Sequence, residues 1–193
     1  GMCLPSERYL GLFDDTDERV DASVRTKFYD KNGNLLTSAA DPEYIAPHCK
    51  KYEDYDRVMD AGASSKNIYF IRYADLILLY AECLLAENDL AGAKQQVIRV
   101  RNRAKVSTPI TASNNTEMLD FIYEERMREL GMEGWRRMDL IRRGADYFAA
   151  QVDKYNPFAK GNVQPYHAFY PIPTNEINMN DGIGAEDQNE GYK

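Results

Sequence analysis

The segment that most constrains this chain is residues 71–87, Ile-Arg-Tyr-Ala-Asp-Leu-Ile-Leu-Leu-Tyr-Ala-Glu-Cys-Leu-Leu-Ala-Glu, which is apolar almost all the way round a helix. At 100° per residue its polar members Arg72, Asp75 and Glu82 fall within about 80° of one another. Such a helix is predicted to be central in a helical core, meeting solvent or polar neighbours only along that stripe. Cys83, inside the apolar run, reads as a small buried hydrophobe. Asn88-Asp89 ends the helix and caps a second one over 90–105, which places Ala93, Val97, Val100 and Ala104 on one face. A two-residue polar break between such helices predicts an antiparallel αα-hairpin.

Around that hairpin the chain divides by pattern. Residues 1–66 carry no helical period and read as a small β-hairpin and loops. The hairpin runs over 24–29 and 35–37, with Asn32-Gly33 supplying the positive φ angles of its turn. Residues 44–55 hold three tyrosines and read as loop or edge strand. Residues 67–154 form the helical core. Asn114, with Glu117 three residues on, starts a third helix with Leu119, Ile122, Tyr123, Arg126, Met127 and Leu130 on one face. Gly131 and Gly134 weaken its continuation, Gly144 stops the next helix, and an amphipathic segment covers 145–154. Residues 155–193, punctuated by Pro157, Gly161, Pro165, Pro171 and Pro173, read as an extended tail with one turn of helix at 174–178. At 193 residues the whole reads as a single domain.

Charge narrows the function. With 24 Lys and Arg against 31 Asp and Glu, the net charge is −7, which argues against nucleic acid or an anionic membrane face as the main partner. Lys94, Arg99, Arg101, Arg103 and Lys105 form a basic face on the second helix. Lacking interleaved aromatics, they read as a solvated face that partly pairs with acidic neighbours. No apolar run approaches the ~20 residues that a membrane span needs. Gly1 ahead of Met2 reads as a cloning scar. The three cysteines are odd in number, and His48-Cys49 and His167 lack metal-ligand spacing, so no metal or cofactor is expected.

Glu124, Glu125, Glu129 and Glu133 invite an acid/base reading of the kind glycoside hydrolysis uses. The same stretch holds Arg126, Arg128, Arg136 and Arg137, and guanidinium groups lower carboxyl pKa values where a catalytic acid must be raised. A structural ion-pair network is therefore expected, and no enzymatic activity. Trp135, inside a helical segment, reads as packing. The contact surface is expected on loop tyrosines, with Tyr52, Tyr55 and Tyr166 as ligand-binding candidates, because tyrosine offers rigid contact area with a hydroxyl to spare.

Four ordered blocks then carry a family resemblance. Ile71-Arg72-Tyr73-Ala74-Asp75-Leu76-Ile77-Leu78-Leu79-Tyr80-Ala81-Glu82 resembles the "RYAD(hydrophobic)LLxYAE" helix of the SusD/RagB family of Bacteroidetes nutrient-binding outer-membrane lipoproteins. Glu125-Arg126, Glu129-Leu130, Glu133-Gly134, Arg136 and Asp139-Leu140-Ile141-Arg142-Arg143-Gly144 are similar to its "ERxxELxxEGxRxxDLIRxG" stretch. Tyr170-Pro171-Ile172-Pro173 with Glu176-Ile177 resembles its "PIPxxEI" element, and Gln188-Asn189-Glu190-Gly191-Tyr192 its closing "QNPGY", with Glu190 in place of proline. Asp17-Glu18-Arg19 and Lys51-Tyr52 fit its "DxR" and "KY" positions more loosely.

The resemblance implies a mainly α fold, an α-α superhelix of TPR-like helical hairpins, of which this chain corresponds to the C-terminal part. It implies non-enzymatic binding of an extracellular polysaccharide, oligosaccharide or peptide at the surface of the outer membrane, as accessory to a SusC-like TonB-dependent transporter. Membrane attachment is expected only through a lipid anchor absent from this chain, and Cys3 is not that anchor. Arg72, Asp75, Glu82, Glu125, Arg126, Glu129, Glu133, Arg136, Asp139 and Arg142 are structural motif positions under this resemblance. The alternative is a TPR-like scaffold that binds only protein.

Overall fold

The computed structural model describes residues 4–30, 32–36, 47–53, 64 and 66–193. Two compact units divide the chain, Gly1–Trp135 and Arg136–Lys193. Among the described residues the fold is mainly α, with one two-stranded sheet.

The first unit opens with α1 (Glu7–Leu10), α2 (Arg19–Ser23) and β1 (Val24–Arg25), and β1 pairs antiparallel with β2 (His48–Cys49). The predicted hairpin survives at its turn and where Phe28 and Tyr29 meet Leu35 and Leu36. The Asp30 carboxylate accepts the amides of Asn32 and Asn34, both at 2.8 Å, and Tyr29 bridges Leu35. A side chain that satisfies two turn amides closes the loop on itself, and further from the turn Val24 and Arg25 take 48–49 as partner. Lys31 and Thr37 of that hairpin, together with Cys3, Tyr44 and Tyr55, lie outside the described residues.

Three longer helices follow: α3 (Tyr73–Ala86), α4 (Leu90–Arg103) and α5 (Asn115–Leu130). Asp89 caps α4 by accepting the Gly92 amide at 2.8 Å, as the sequence predicts. Leu78, Ala81 and Leu85 of α3 pack on Ala93, Val97 and Val100 of α4 and on Met118 and Ile122 of α5.

The expectation that α3 meets solvent or polar neighbours only along one stripe holds for the polar neighbours and is corrected for the rest of the helix. Its stripe of Arg72, Asp75 and Glu82 points inward, toward α5, because Arg126 meets Asp75 at 2.6 Å and Arg72 meets Glu129 at 2.7 Å. Tyr73, Leu76 and Tyr80 on the opposite side are exposed, and so is Cys83. The most enclosed helix is the charge-rich α5, where Glu125, Arg126, Arg128 and Glu129 are buried beside Met118, Ile122, Tyr123 and Leu130. Asn114 caps it by accepting the Glu117 amide at 3.0 Å, while Glu117 accepts from Ser113, one residue short of a reciprocal capping box. Gly131 ends α5 against the Tyr9 ring, where a Cβ would overlap the aromatic carbons.

The second unit holds α6 (Arg136–Arg142) and α7 (Ala145–Tyr155), joined through Gly144 at φ 107°. Its core is Leu140, Phe148 and Ala168. The tail holds the predicted turn of helix as α8, Thr174–Met179, and adds a 3₁₀ turn at Pro165–Ala168. The Gln188 amide accepts the Ile172 amide proton at 2.7 Å and donates to the Ile172 carbonyl at 2.9 Å, so a side chain completes the backbone pairing that a neighbouring strand would supply. Asn189 donates to the Tyr170 carbonyl at 2.7 Å. No helix among the described residues is long and apolar enough to cross a membrane.

Candidate functional site

The carboxylates of Glu125, Glu129 and Glu133 are committed to ion pairs. Arg19 reaches Glu125 at 2.6 Å while its other side holds Asp17 at 2.6 Å, and Arg128 and Arg101 meet Glu125 at 2.9 and 3.3 Å. Glu129 meets Arg72, Arg103 and Arg19, and Glu133 meets Lys51 and Arg72 at 2.6 and 2.7 Å. Burial, which raises a carboxyl, is outweighed at Glu129 by the Arg72 hydrogen bond and the charges of Arg103, Arg72 and Arg19, so its pKa lies below the ordinary value. A general acid needs the opposite shift. The Arg19 and Arg72 guanidinium groups are held above their ordinary range, burial being outweighed by hydrogen bonds to Asp17 and Glu133 respectively.

The other motif positions also pair. Glu82 lies 3.9 Å from Arg126, and Asp139 meets Arg142 at 3.1 Å. Arg136 is half-buried at the start of α6. The basic face of α4 is partly absorbed by the network, since Arg101 is buried rather than solvated. Among the described residues no group of three His, Cys, Asp or Glu converges as metal ligands would.

Two clefts carry the aromatic candidates, one in each unit. In the first, Tyr52, Ser64, Lys66, Ile68, Met132 and Glu133 line ≈ 510 Å³. Tyr52 and Tyr69 pair with ring centroids 6.2 Å apart. In the second unit a cleft of ≈ 700 Å³ is lined by Ala145, Gln164, Tyr166, Phe169, Asn189 and Glu190 among others. Tyr166 stands edge-to-face with Tyr192 at 5.1 Å, and a Cβ at Gly191 would overlap its ring. These clefts join aromatic faces to amides and carboxylates, a lining suited to a small polar ligand with apolar faces.

Sequence reasoning did not single out Arg137, which positions the second cleft. Its guanidinium packs on Phe148 and Tyr170, with 4.9 and 4.3 Å to the ring centroids, and donates to the His167 and Ala168 carbonyls at 2.8 and 3.2 Å. The turn that carries Tyr166 is thereby fixed. Nor did it single out Tyr69, whereas Arg103, read as part of a solvated face that partly pairs with acidic neighbours, is exposed and meets Glu129.

Comparison with known proteins follows this geometry. The family model described as the SusD family matches residues 5–192. The chain is 34% identical over 134 residues to SusD-like protein P25 of Formosa agariphila, covering 67% of this chain and 25% of that one. It is 32% identical over 142 residues to starch-binding protein SusD of Bacteroides thetaiotaomicron, covering 70% of this chain and 23% of that one. The solved structure of B. fragilis NanU superposes with a TM-score of 0.64 at 27% identity, covering 97% of this chain and 39% of that one. The chain spans about a quarter of the length of the two sequence relatives.

Proposed function

The chain belongs to the SusD family, and from that premise we propose that it serves the non-enzymatic capture of an extracellular polysaccharide, oligosaccharide or other nutrient at the surface of the outer membrane. In this reading it is accessory to a SusC-like TonB-dependent transporter, and the chain forms the C-terminal part of the binding protein. The observation that carries the reading is the family match across residues 5–192, with one relative named for starch binding. Commitment of the Glu125, Glu129 and Glu133 carboxylates to arginine and lysine supports binding rather than hydrolysis. Tyr52 and Tyr166, in their separate clefts, are the proposed ligand contacts, with Tyr55 a third outside the described residues.

Calorimetric titration against a panel of polysaccharides, oligosaccharides and peptides tests the reading. Saturable binding that weakens in Tyr52→Ala or Tyr166→Ala supports it, and no binding to any member overturns it. A second reading, a scaffold that binds only protein, is favoured by the exposed Tyr73, Leu76 and Tyr80 ridge of α3. A pull-down that recovers a transporter subunit from a protein without any glycan affinity would favour the scaffold.

A further inference from the structure

Resting on the glycan reading, we propose that a depression beside the Tyr52 cleft binds the oxyanion substituent, carboxylate or sulfate, of an acidic glycan. The depression holds ≈ 310 Å³ and is lined by Arg19, Lys51, Tyr69, Arg72, Arg103, Glu129 and Glu133 with Ala22 and Ser23. At about 30 Å³ per water that is room for an anionic group and part of its sugar ring.

Four cations line it against two carboxylates, and the two charges are layered. The Glu129 and Glu133 side chains are each 2% exposed, whereas Lys51, Arg72 and Arg103 are 13%, 22% and 60% exposed. Solvent therefore meets guanidinium and ammonium groups, with the carboxylates beneath them. This is a local positive surface on a chain whose net charge is −7.

Arg103 has donors to spare. Its Nη2 contacts both Glu129 oxygens, at 2.6 and 2.5 Å, while Nε and Nη1 make no hydrogen bond among the described residues. An arriving oxyanion would take those donors without breaking the Glu129 pair, and Arg103 is exposed enough that little buried charge needs desolvating. Lys51 fits the same logic. Burial holds its ammonium below the ordinary range against the pull of Glu133, and Arg72 pushes it further down. An anion above it would offset the cation crowding.

Continuity with the aromatic cleft says what carries the anion. Tyr69 lines the depression, Tyr52 lines the cleft, the two rings pair, and Glu133 belongs to both linings. A sugar resting on Tyr52 would lie one ring away from Arg103. Lys66, also in the lining of the cleft, adds a further cation for a repeating acidic polymer.

Two measurements on the whole chain test this. In the first, sodium sulfate is titrated at constant ionic strength while ¹H–¹⁵N resonances of arginine Nε–H are followed, Arg103→Gln identifying the Arg103 signal. A saturable shift of that signal is expected, and a flat response overturns the anion site. In the second, calorimetry compares tri-galacturonate with neutral oligosaccharides. Tri-galacturonate is expected to bind at least tenfold more tightly, and Arg103→Gln to remove that advantage by weakening tri-galacturonate far more than neutral sugars. Equal affinity for acidic and neutral sugars overturns the assignment of substrate class. If sulfate saturates Arg103 but no oligosaccharide binds, the glycan reading falls and the anion site remains. If neutral sugars bind and neither sulfate nor tri-galacturonate engages Arg103, the reverse holds.

Discussion

Arg126 donates through Nη1 to Asp75 Oδ1 at 2.6 Å with both side chains almost wholly enclosed, 1% and 4% exposed. This pair joins α5 to α3 in the middle of the first unit. Removing one member leaves the other charged, buried and unpaired, so Arg126→Met is expected to cost about 3–5 kcal/mol in urea unfolding. Asp75→Leu combined with Arg126→Met should recover much of that loss, because two apolar groups restore a matched interior. A double variant no more stable than the single one would show that the pair is not the interaction lost.

The two faces of α3 make opposite predictions. Leu78 is fully enclosed between α4 and α5, so Leu78→Ala should cost ~2–5 kcal/mol. Leu76, only two residues away, is exposed, so Leu76→Ser should stay within about 0.5 kcal/mol. Cys83 on the exposed side should react with maleimide in native buffer at a rate close to that in urea. Slow labelling that speeds up in denaturant would show that the ridge is covered.

These residues also show how far the sequence could be read. The hairpin of α3 and α4, the Asp89 and Asn114 caps and the ion-paired fate of the α5 carboxylates were legible, because helical period, capping chemistry and interleaved charge are local signals. Which side of α3 faces inward was not. Apolar periodicity leaves the polar stripe to solvent or to polar neighbours without choosing, and here buried arginines and carboxylates neutralise it, so the stripe faces protein and the apolar ridge is exposed. The partner of β1 was missed because a turn signal at Asn32-Gly33 gives no information on the pairing of Val24 with Cys49 and Arg25 with His48. The clefts could not be found in advance, since each combines residues from distant segments.

Acid should weaken the network in a predictable window. The Glu129 carboxyl is depressed below its ordinary 4.5, so its contribution is complete above that value and is lost as pH falls through the lower folded value. Tyr9, raised by burial from 10.0 to about 12, behaves in the opposite sense, and its contribution is present below 10.0 and lost as pH rises toward 12. Melting temperature followed from neutral to acid pH should therefore fall below about 4.5. Glu129→Gln should lower it at neutral pH and flatten the acid limb. An unchanged acid limb in that variant would remove Glu129 from the account.

Gly131 and Gly134 separate steric from conformational demand. A Cβ at Gly131 would overlap the Tyr9 ring, so Gly131→Ala should cost ~1–3 kcal/mol, and Tyr9→Leu in the same chain should relieve part of it. At Gly134 a Cβ meets nothing within 4 Å, but φ is +88°, so Gly134→Ala should cost about 1–2 kcal/mol whatever happens to Tyr9. Equal rescue of both variants by Tyr9→Leu would contradict the distinction.

Arg137 supplies the last test, because its two roles fail differently. Its plane packs on Phe148 and Tyr170 while Nη2 donates to the carbonyls of His167 and Ala168. Lysine keeps the charge but lacks the planar fork that packs on rings and bonds two carbonyls at once. Arg137→Lys should therefore destabilise the second unit by about 1–3 kcal/mol, nearly as much as Arg137→Ala. Because the same carbonyls belong to or border the turn that carries Tyr166, any ligand affinity that depends on Tyr166 should fall in both variants, whereas affinity that depends on Tyr52 should not. Full rescue by lysine would mean that charge alone holds the turn, and equal loss at both tyrosines would mean that Arg137 acts beyond its own unit.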